Sequence, residues 1–153
     1  MKKAAKIIGS TFGAGFSPVA PGTAGSLVAI AALWFTPSLS AMSLIFFIVI
    51  FYFVGVWAST ICETDWGHDP GRAVWDEVVG MMITVVALPK QWLIYLVAFA
   101  AFRFFDILKP FPINSSQRLP RGWGVMTDDV LAGIYANLVL QLLFRIIFTN
   151  AAG

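Results

Sequence analysis

Long apolar blocks separated by short polar connections dominate this chain. The longest uncharged block, "AMSLIFFIVIFYFVGVWASTIC", runs 22 residues from Ala41 to Cys62. As an α-helix it rises about 33 Å, enough to cross ~30 Å of hydrocarbon. "DVLAGIYANLVLQLLFRIIF", Asp129 to Phe148, is nearly as apolar, and Arg145 near its far end is free to snorkel. "QWLIYLVAFAAFRFFDIL", Gln91 to Leu108, has the length but carries Arg103 and Asp106 in its last turns. Two blocks, Ala24 to Thr36 and Val78 to Leu88, are short for a crossing and predict partial spans or helices buried among the others. The pattern predicts an all-α, multi-pass membrane helical bundle of about four to five hydrophobic helices, with residues 1–153 as one domain.

Charge placement orients that bundle. All eight carboxylates (Glu63, Asp65, Asp69, Asp76, Glu77, Asp106, Asp128 and Asp129) fall in or beside two loops, 63–77 and 106–129. If the first two apolar blocks form one hairpin and the next two another, both loops share a membrane face with the amino terminus. The opposite connections, "TPSLS" and "LPKQ", are short and carry only Lys90. Seven of the ten basic residues (Lys2, Lys3, Lys6, Arg72, Lys109, Arg118 and Arg121) lie on the acid-bearing side, which the positive-inside tendency makes cytoplasmic.

Composition supports the membrane reading: 59% of residues are hydrophobic, 12% are charged, and the mean hydropathy is +0.82. A soluble domain is typically about a quarter charged. The alternative on composition alone is a soluble protein with a greasy helical core. A net charge of +2 without a basic stripe gives no reason to expect a nucleic-acid partner. Gly-rich sequence after the "KK" start argues against a cleavable signal peptide. The single cysteine, Cys62, excludes an internal disulfide and a cysteine metal cluster.

Four motifs carry candidate chemistry. In "GAGFSPVAPGTAGS", Gly13 to Ser26, glycines permit close backbone approach, and the following helix start offers N–H groups to an anion. Taken alone, a tight turn with Thr23 or Ser26 as N-cap accounts for it more simply, and the Walker ending is missing. "CETDWGHDPGRAVWDEVVG" sets Asp76 and Glu77 at a helix start, where capping and the helix dipole ordinarily account for acids. His68, the only histidine, reads as a surface residue rather than a catalyst. "FRFFDILKPFPI" puts Arg103 and Asp106 three apart on one helix face, with Lys109 at the exit. Ionisable residues in such a segment are costly and point to function. "GWGVMTDDVLAG" again sets two acids at the start of an apolar helix. Thr127 or Asp128 suffices as a cap, so the second carboxylate has no such role.

Convergence decides between the readings. The hairpin topology brings Asp76, Glu77, Asp106, Asp128 and Asp129 to one membrane face with Arg103 and Lys109. Two cations cannot neutralise five acids. Oxygen ligands suit a hard divalent ion such as Mg²⁺, which is usually bound by a few carboxylates plus substrate phosphate. Arg103 and Lys109 suit the phosphate itself. The residues therefore point to a metal-dependent phosphoryl site at the cytoplasmic surface, reached by its substrate from the lipid phase.

"SPVAPGTAGS", "AVWDEVVG", "FRFFDILKPFPI" and "GWGVMTDDVLAG", in this order and spacing, resemble the signature blocks of the bacterial phosphatidylglycerophosphatase A family, from about Gly13 to Leu140. The resemblance implies a mainly helical inner-membrane enzyme. It also implies Mg²⁺-dependent removal of the terminal phosphate of phosphatidylglycerophosphate, giving phosphatidylglycerol. Carried over by motif, the acidic positions are Asp76, Glu77, Asp106, Asp128 and Asp129, as metal ligands and catalytic groups. Arg103 and Lys109 fall on the basic positions, and Pro21, Gly22, Thr23, Gly25 and Ser26 on the Gly-rich loop that binds substrate. The last block departs slightly, with Arg121-Gly122 where two glycines often stand. Which acid binds metal and which moves protons, how many ions bind, and the oligomeric state stay open at this level.

Direct attack by water fits better than a covalent intermediate. Cys62 lacks the downstream arginine of cysteine phosphatases, the "DxD" of aspartyl-phosphate enzymes is absent, and His68 stands alone. Asp69 or Glu77 is the candidate base. The rival readings are a cation channel or transporter with an acidic site, and a phosphatidyl-group transferase.

Overall fold

A computed structural model describes residues 1–68 and 70–151, with side chains described through residue 145 and residue 69 excepted. The chain forms α1 (Lys2–Gly9), α2 (Pro21–Phe35), α3 (Ala41–Trp66), α4 (Trp75–Thr84), α5 (Trp92–Leu108), α6 (Ile113–Ser116) and α7 (Gly122–Ala151). One turn of 3-10 helix, Ala14–Phe16, precedes α2, and no strand occurs among the described residues. The all-α expectation holds.

Two of these helices, α3 over Ala41–Trp66 and α7 over Gly122–Arg145, are long and apolar enough to cross a membrane. Only 28% and 33% of the residues in their apolar windows are buried, where the core helix of a soluble protein is mostly buried. Phe46, Phe53, Leu138 and Leu142 all face outward. That is the pattern of helices facing lipid. At about 1.5 Å per residue, the 15 residues of α2 and the 10 of α4 fall short of the hydrocarbon thickness.

The central element is α4, which packs against α2, α3, α5 and α7. Around it lies an apolar core that includes Met81, Met82, Ala98, Phe102, Ala132 and Ala136. A second cluster joins Val56, Trp75, Val79 and Met126. The start of α4 is pinned from two sides. Trp75 Nε1 donates to Phe51 O at 3.0 Å, and Val74 N donates to Gly9 O at 2.7 Å. Thr11 Oγ1 adds a bond to Val74 O at 2.9 Å. These contacts fix where the following Asp76 and Glu77 point.

Three helix starts differ from the sequence expectation. Pro21 begins α2, three residues earlier than expected, because its fixed φ suits a first helical turn. The N-cap is Ala20 without a side-chain bond, so neither Thr23 nor Ser26 caps the helix. The Gly-rich loop therefore ends at residue 20, and its last six residues are helical. Trp75 rather than Val78 opens α4. The largest shift is in α7, which begins at Gly122 and places Asp128 and Asp129 in its second turn. Gly122 N donates to Thr60 Oγ1 at 3.2 Å, tying the new first turn to α3. Thr127 caps nothing: its hydroxyl pairs with Tyr52 OH at 2.9 Å. Asp128 and Asp129 are thus inside a helix, and neither serves as a cap.

Candidate active site

Asp76 and Glu77 project from the first turn of α4, Asp106 from the last turn of α5, and Asp128 and Asp129 from α7. All five are at least nine-tenths buried. Small residues allow this meeting. A Cβ on Gly80 of α4 would lie 2.9 Å from Asp129 O and collide with the Phe102 ring; one on Gly133 of α7 would lie 3.1 Å from Ile83 Cβ and collide with Gly80 O. Glycine at both positions lets α4 and α7 approach closely enough for their acids to share one space.

The two cations enter from α5. Arg103 Nη1 lies 2.5 Å from Asp106 Oδ2 and 4.0 Å from Glu77 Oε1. Lys109 ends α5 in a left-handed conformation, φ 43° and ψ 57°. Its Nζ lies 2.5 Å from Asp128 Oδ2 and 3.8 Å from Asp106 Oδ1. Burial disfavours the Lys109 ammonium, but Asp128 first, then Asp129 and Asp106, outweigh it and raise its pKa above the ordinary lysine value.

The first turn of α2 closes the site on another side. A Cβ on Gly22 would collide with Glu77 Oε1 and stand 3.1 Å from Arg103 Nη1, so a side chain there would displace these charged groups. Pro21 and Thr23 flank it in the same turn. Gly25 and Ser26 do different work. A Cβ on Gly25 would lie 2.8 Å from Val74 Cβ, and Ser26 Oγ donates to Gly22 O at 2.8 Å within its own helix. Of the two loop glycines, Gly22 is the one whose Cβ position lies against the charged groups. His68 is exposed with Glu63 at 4.0 Å, and Arg72 stacks on Phe16. Asp69 lies outside the described residues.

One further residue belongs to the site. Gln117, in the connection between α6 and α7, donates from Nε2 to Asp128 Oδ2 at 3.0 Å. Nothing in its sequence neighbourhood signals this, because the contact depends on how that connection folds back over α7.

The five acids are not equivalent. Asp128 is fully partnered: Lys109 and Gln117 meet Oδ2, and Asp129 N donates to Oδ1 at 3.1 Å. By contrast Asp76 Oδ1, Glu77 Oε2 and Asp129 Oδ2 are buried without a hydrogen-bond partner. A buried, unpaired carboxylate oxygen is costly. All three are hard oxygen donors of the kind a divalent cation takes, and each residue belongs to a close group of three carboxylates: Asp76, Asp128 and Asp129, or Glu77, Asp106 and Asp129.

Residues 7–144 match the family model described as phosphatidylglycerophosphatase A. The chain belongs to that family. It is 44% identical over 133 residues to phosphatidylglycerophosphatase A of Haemophilus influenzae, across 84% of this chain and 82% of that protein. The Escherichia coli phosphatidylglycerophosphatase A is 38% identical over 136 residues, 86% of this chain and 78% of its own. A Bacteroides thetaiotaomicron protein, named provisionally a phosphatidylinositol-3-phosphatase, is 44% identical over 152 residues, 89% and 91% of the two chains. No solved structure matches the chain. Family membership makes this an enzyme, a lipid phosphatase, and removes the channel reading.

Proposed function

We propose that the chain is a Mg²⁺-dependent phosphatase that hydrolyses the terminal phosphomonoester of phosphatidylglycerophosphate to phosphatidylglycerol and inorganic phosphate. The observation that carries this reading is the set of three unpartnered carboxylate oxygens, flanked by Arg103 and Lys109, in a chain of this family. Some of Asp76, Glu77, Asp106, Asp128 and Asp129 would hold the metal. Bound there, Mg²⁺ supplies a Lewis acid that polarises the phosphoryl group, orients water and offsets charge on the leaving oxygen.

The chain's own groups do the rest. Arg103, held by Asp106 and Glu77, presents its fork to the equatorial phosphoryl oxygens, and Lys109 adds a point charge beside Asp128. The first turn of α2 brings backbone N–H groups and a helix N-terminus to the same phosphate, through Gly22. Water attacks phosphorus, the bond from phosphorus to the glycerol oxygen breaks, and that oxygen leaves as a hydroxyl, protonated by the carboxylate that deprotonates the water. A carboxylate not engaged by metal, Asp69 or Glu77, takes the proton that water loses.

On this reading the chain is one multi-pass domain in a bacterial inner membrane, with α3 and α7 crossing. Lys2, Lys3, Lys6, Arg118 and Arg121 support a cytoplasmic position for the site. A lipid phosphate then reaches the acids from the bilayer side while its headgroup stays in water.

The test is phosphate release by purified protein from a panel of phosphatidylglycerophosphate, phosphatidylinositol 3-phosphate and phosphatidate. We expect phosphatidylglycerophosphate to be hydrolysed fastest, activity to vanish with a chelator, and Mg²⁺ to restore it. Faster release from the phosphoinositide would transfer the substrate assignment to it. Activity that survives the chelator would remove the metal.

A further inference from the structure

We propose that the acidic site binds two divalent cations, with Asp129 as the ligand they share. This deepens the metal-dependent reading above and rests on it. The five carboxylates divide into two sets of three. One oxygen each of Asp76, Asp128 and Asp129 lies within 4.8 Å of the other two, and the same holds for Glu77, Asp106 and Asp129. Trans oxygens around Mg²⁺ are about 4.2 Å apart, so each set is already close to the spacing of a ligand shell. Asp129 alone is in both.

The unpartnered oxygens are distributed in the same way. Of the residues that carry them, Asp76 belongs to the first set, Glu77 to the second, and Asp129 to both. A single ion in either set would leave a buried carboxylate oxygen orphaned in the other. That is a cost the second ion removes.

The protein's own cations are also divided. Arg103 serves the Glu77 and Asp106 set at 4.0 and 2.5 Å, while Lys109 sits closest to Asp128, at 2.5 Å. Neither set is so much better neutralised that one ion would be drawn to the other alone. Five carboxylates against two basic side chains leave three negative charges in excess. One divalent ion leaves the site negative, which repels a phosphate. Two leave it positive by one, which attracts a phosphate. Phosphatases that use paired ions hold them about 3.5–4 Å apart, a separation one carboxylate spans.

Mn²⁺ is the probe, because it substitutes for Mg²⁺ and its spin reports its neighbours. Purified protein in detergent would be titrated with Mn²⁺ alone, with stoichiometry from equilibrium dialysis and coupling from electron paramagnetic resonance. We expect two Mn²⁺ per chain with a spin-coupled spectrum. Asp76→Asn and Glu77→Gln should each hold one uncoupled ion, and Asp129→Asn should lose the coupled pair while keeping wild-type helicity by circular dichroism. One Mn²⁺ per wild-type chain, or two without coupling, overturns the proposal even if phosphate release is intact. A coupled pair that persists in Asp129→Asn removes Asp129 as the shared ligand. If Asp129→Asn does not fold, the other two variants decide: a coupled pair in either of them overturns the division into two sets. A coupled pair in wild-type protein that releases no phosphate from any lipid phosphate would sink the phosphatase reading and leave the pair standing.

Discussion

Two clusters of opposite charge in this molecule have different fates. Near the amino terminus, Asp65 meets Lys2 Nζ at 3.0 Å and Lys6 Nζ at 2.8 Å, so each of its oxygens has a partner. Lys2 is 68% exposed there, and water and salt screen the whole group. Between α4, α5 and α7 the balance is reversed. Five buried carboxylates share two basic residues, and three oxygens have no partner. Surface ion pairs are common and contribute little. A buried excess of one sign is costly unless a bound ion or protonation offsets it. Burial and the missing partners distinguish the two clusters; the number of charges does not.

The sharpest way to break that comparison is Asp128→Asn. It removes a site carboxylate and frees Lys109 and Gln117 from their shared partner. Phosphate release should fall on the order of 10²–10³-fold while the protein still inserts into the membrane. Near-normal turnover in that variant would take Asp128 out of the site. Arg103→Lys comes next. It keeps the charge but loses the fork that reaches Asp106 and Glu77 together, and kcat should drop about 10²-fold. A loss confined to KM would mean that Arg103 binds substrate without acting in the transition state.

Gln117→Ala probes support for Asp128 rather than the reacting groups. A loss of about tenfold is expected, in the range seen when partners of ligand side chains are removed. Gln117→Glu should be worse than alanine, because it sets a second negative charge against Asp128. Equal activities for the two variants would argue that Gln117 only fills space. At the other cluster, Lys6→Ala should change turnover less than about twofold. A large loss there would mean that the amino-terminal helix serves the site, and the contrast between the clusters would collapse.

Much of this site was legible in the sequence. Asp76, Glu77, Arg103, Asp106, Lys109, Asp128 and Asp129 stand in blocks whose order and hydropathy bring them to one face, and the structure gathers all seven. Other features were not legible. The sequence placed Asp128 and Asp129 at a helix start, because "RGWG" reads as a loop. The helix runs back to Gly122 because its first turn leans on Thr60 of α3, a contact 62 residues away in the chain. Ser26 read as a cap or a phosphate ligand, yet its hydroxyl turns back onto Gly22 O. Gln117 carried no signal, since a lone amide in a polar connection has no period and no partner at fixed spacing.

The order of amino acids was enough for the helical class, the two long apolar helices, the family and the cast of charged residues. These follow from composition, run length and motif order, which are properties of neighbours along the chain. How the five acids divide came from the packing of the helices: Asp128 satisfied by Lys109 and Gln117, Asp76 and Glu77 each left with a free oxygen, and Asp129 between them. That division depends on α4 and α7 meeting at Gly80 and Gly133, and on Gly22 bringing α2 against Glu77 and Arg103. Distances between helices are set by packing, and no spacing along the chain encodes them.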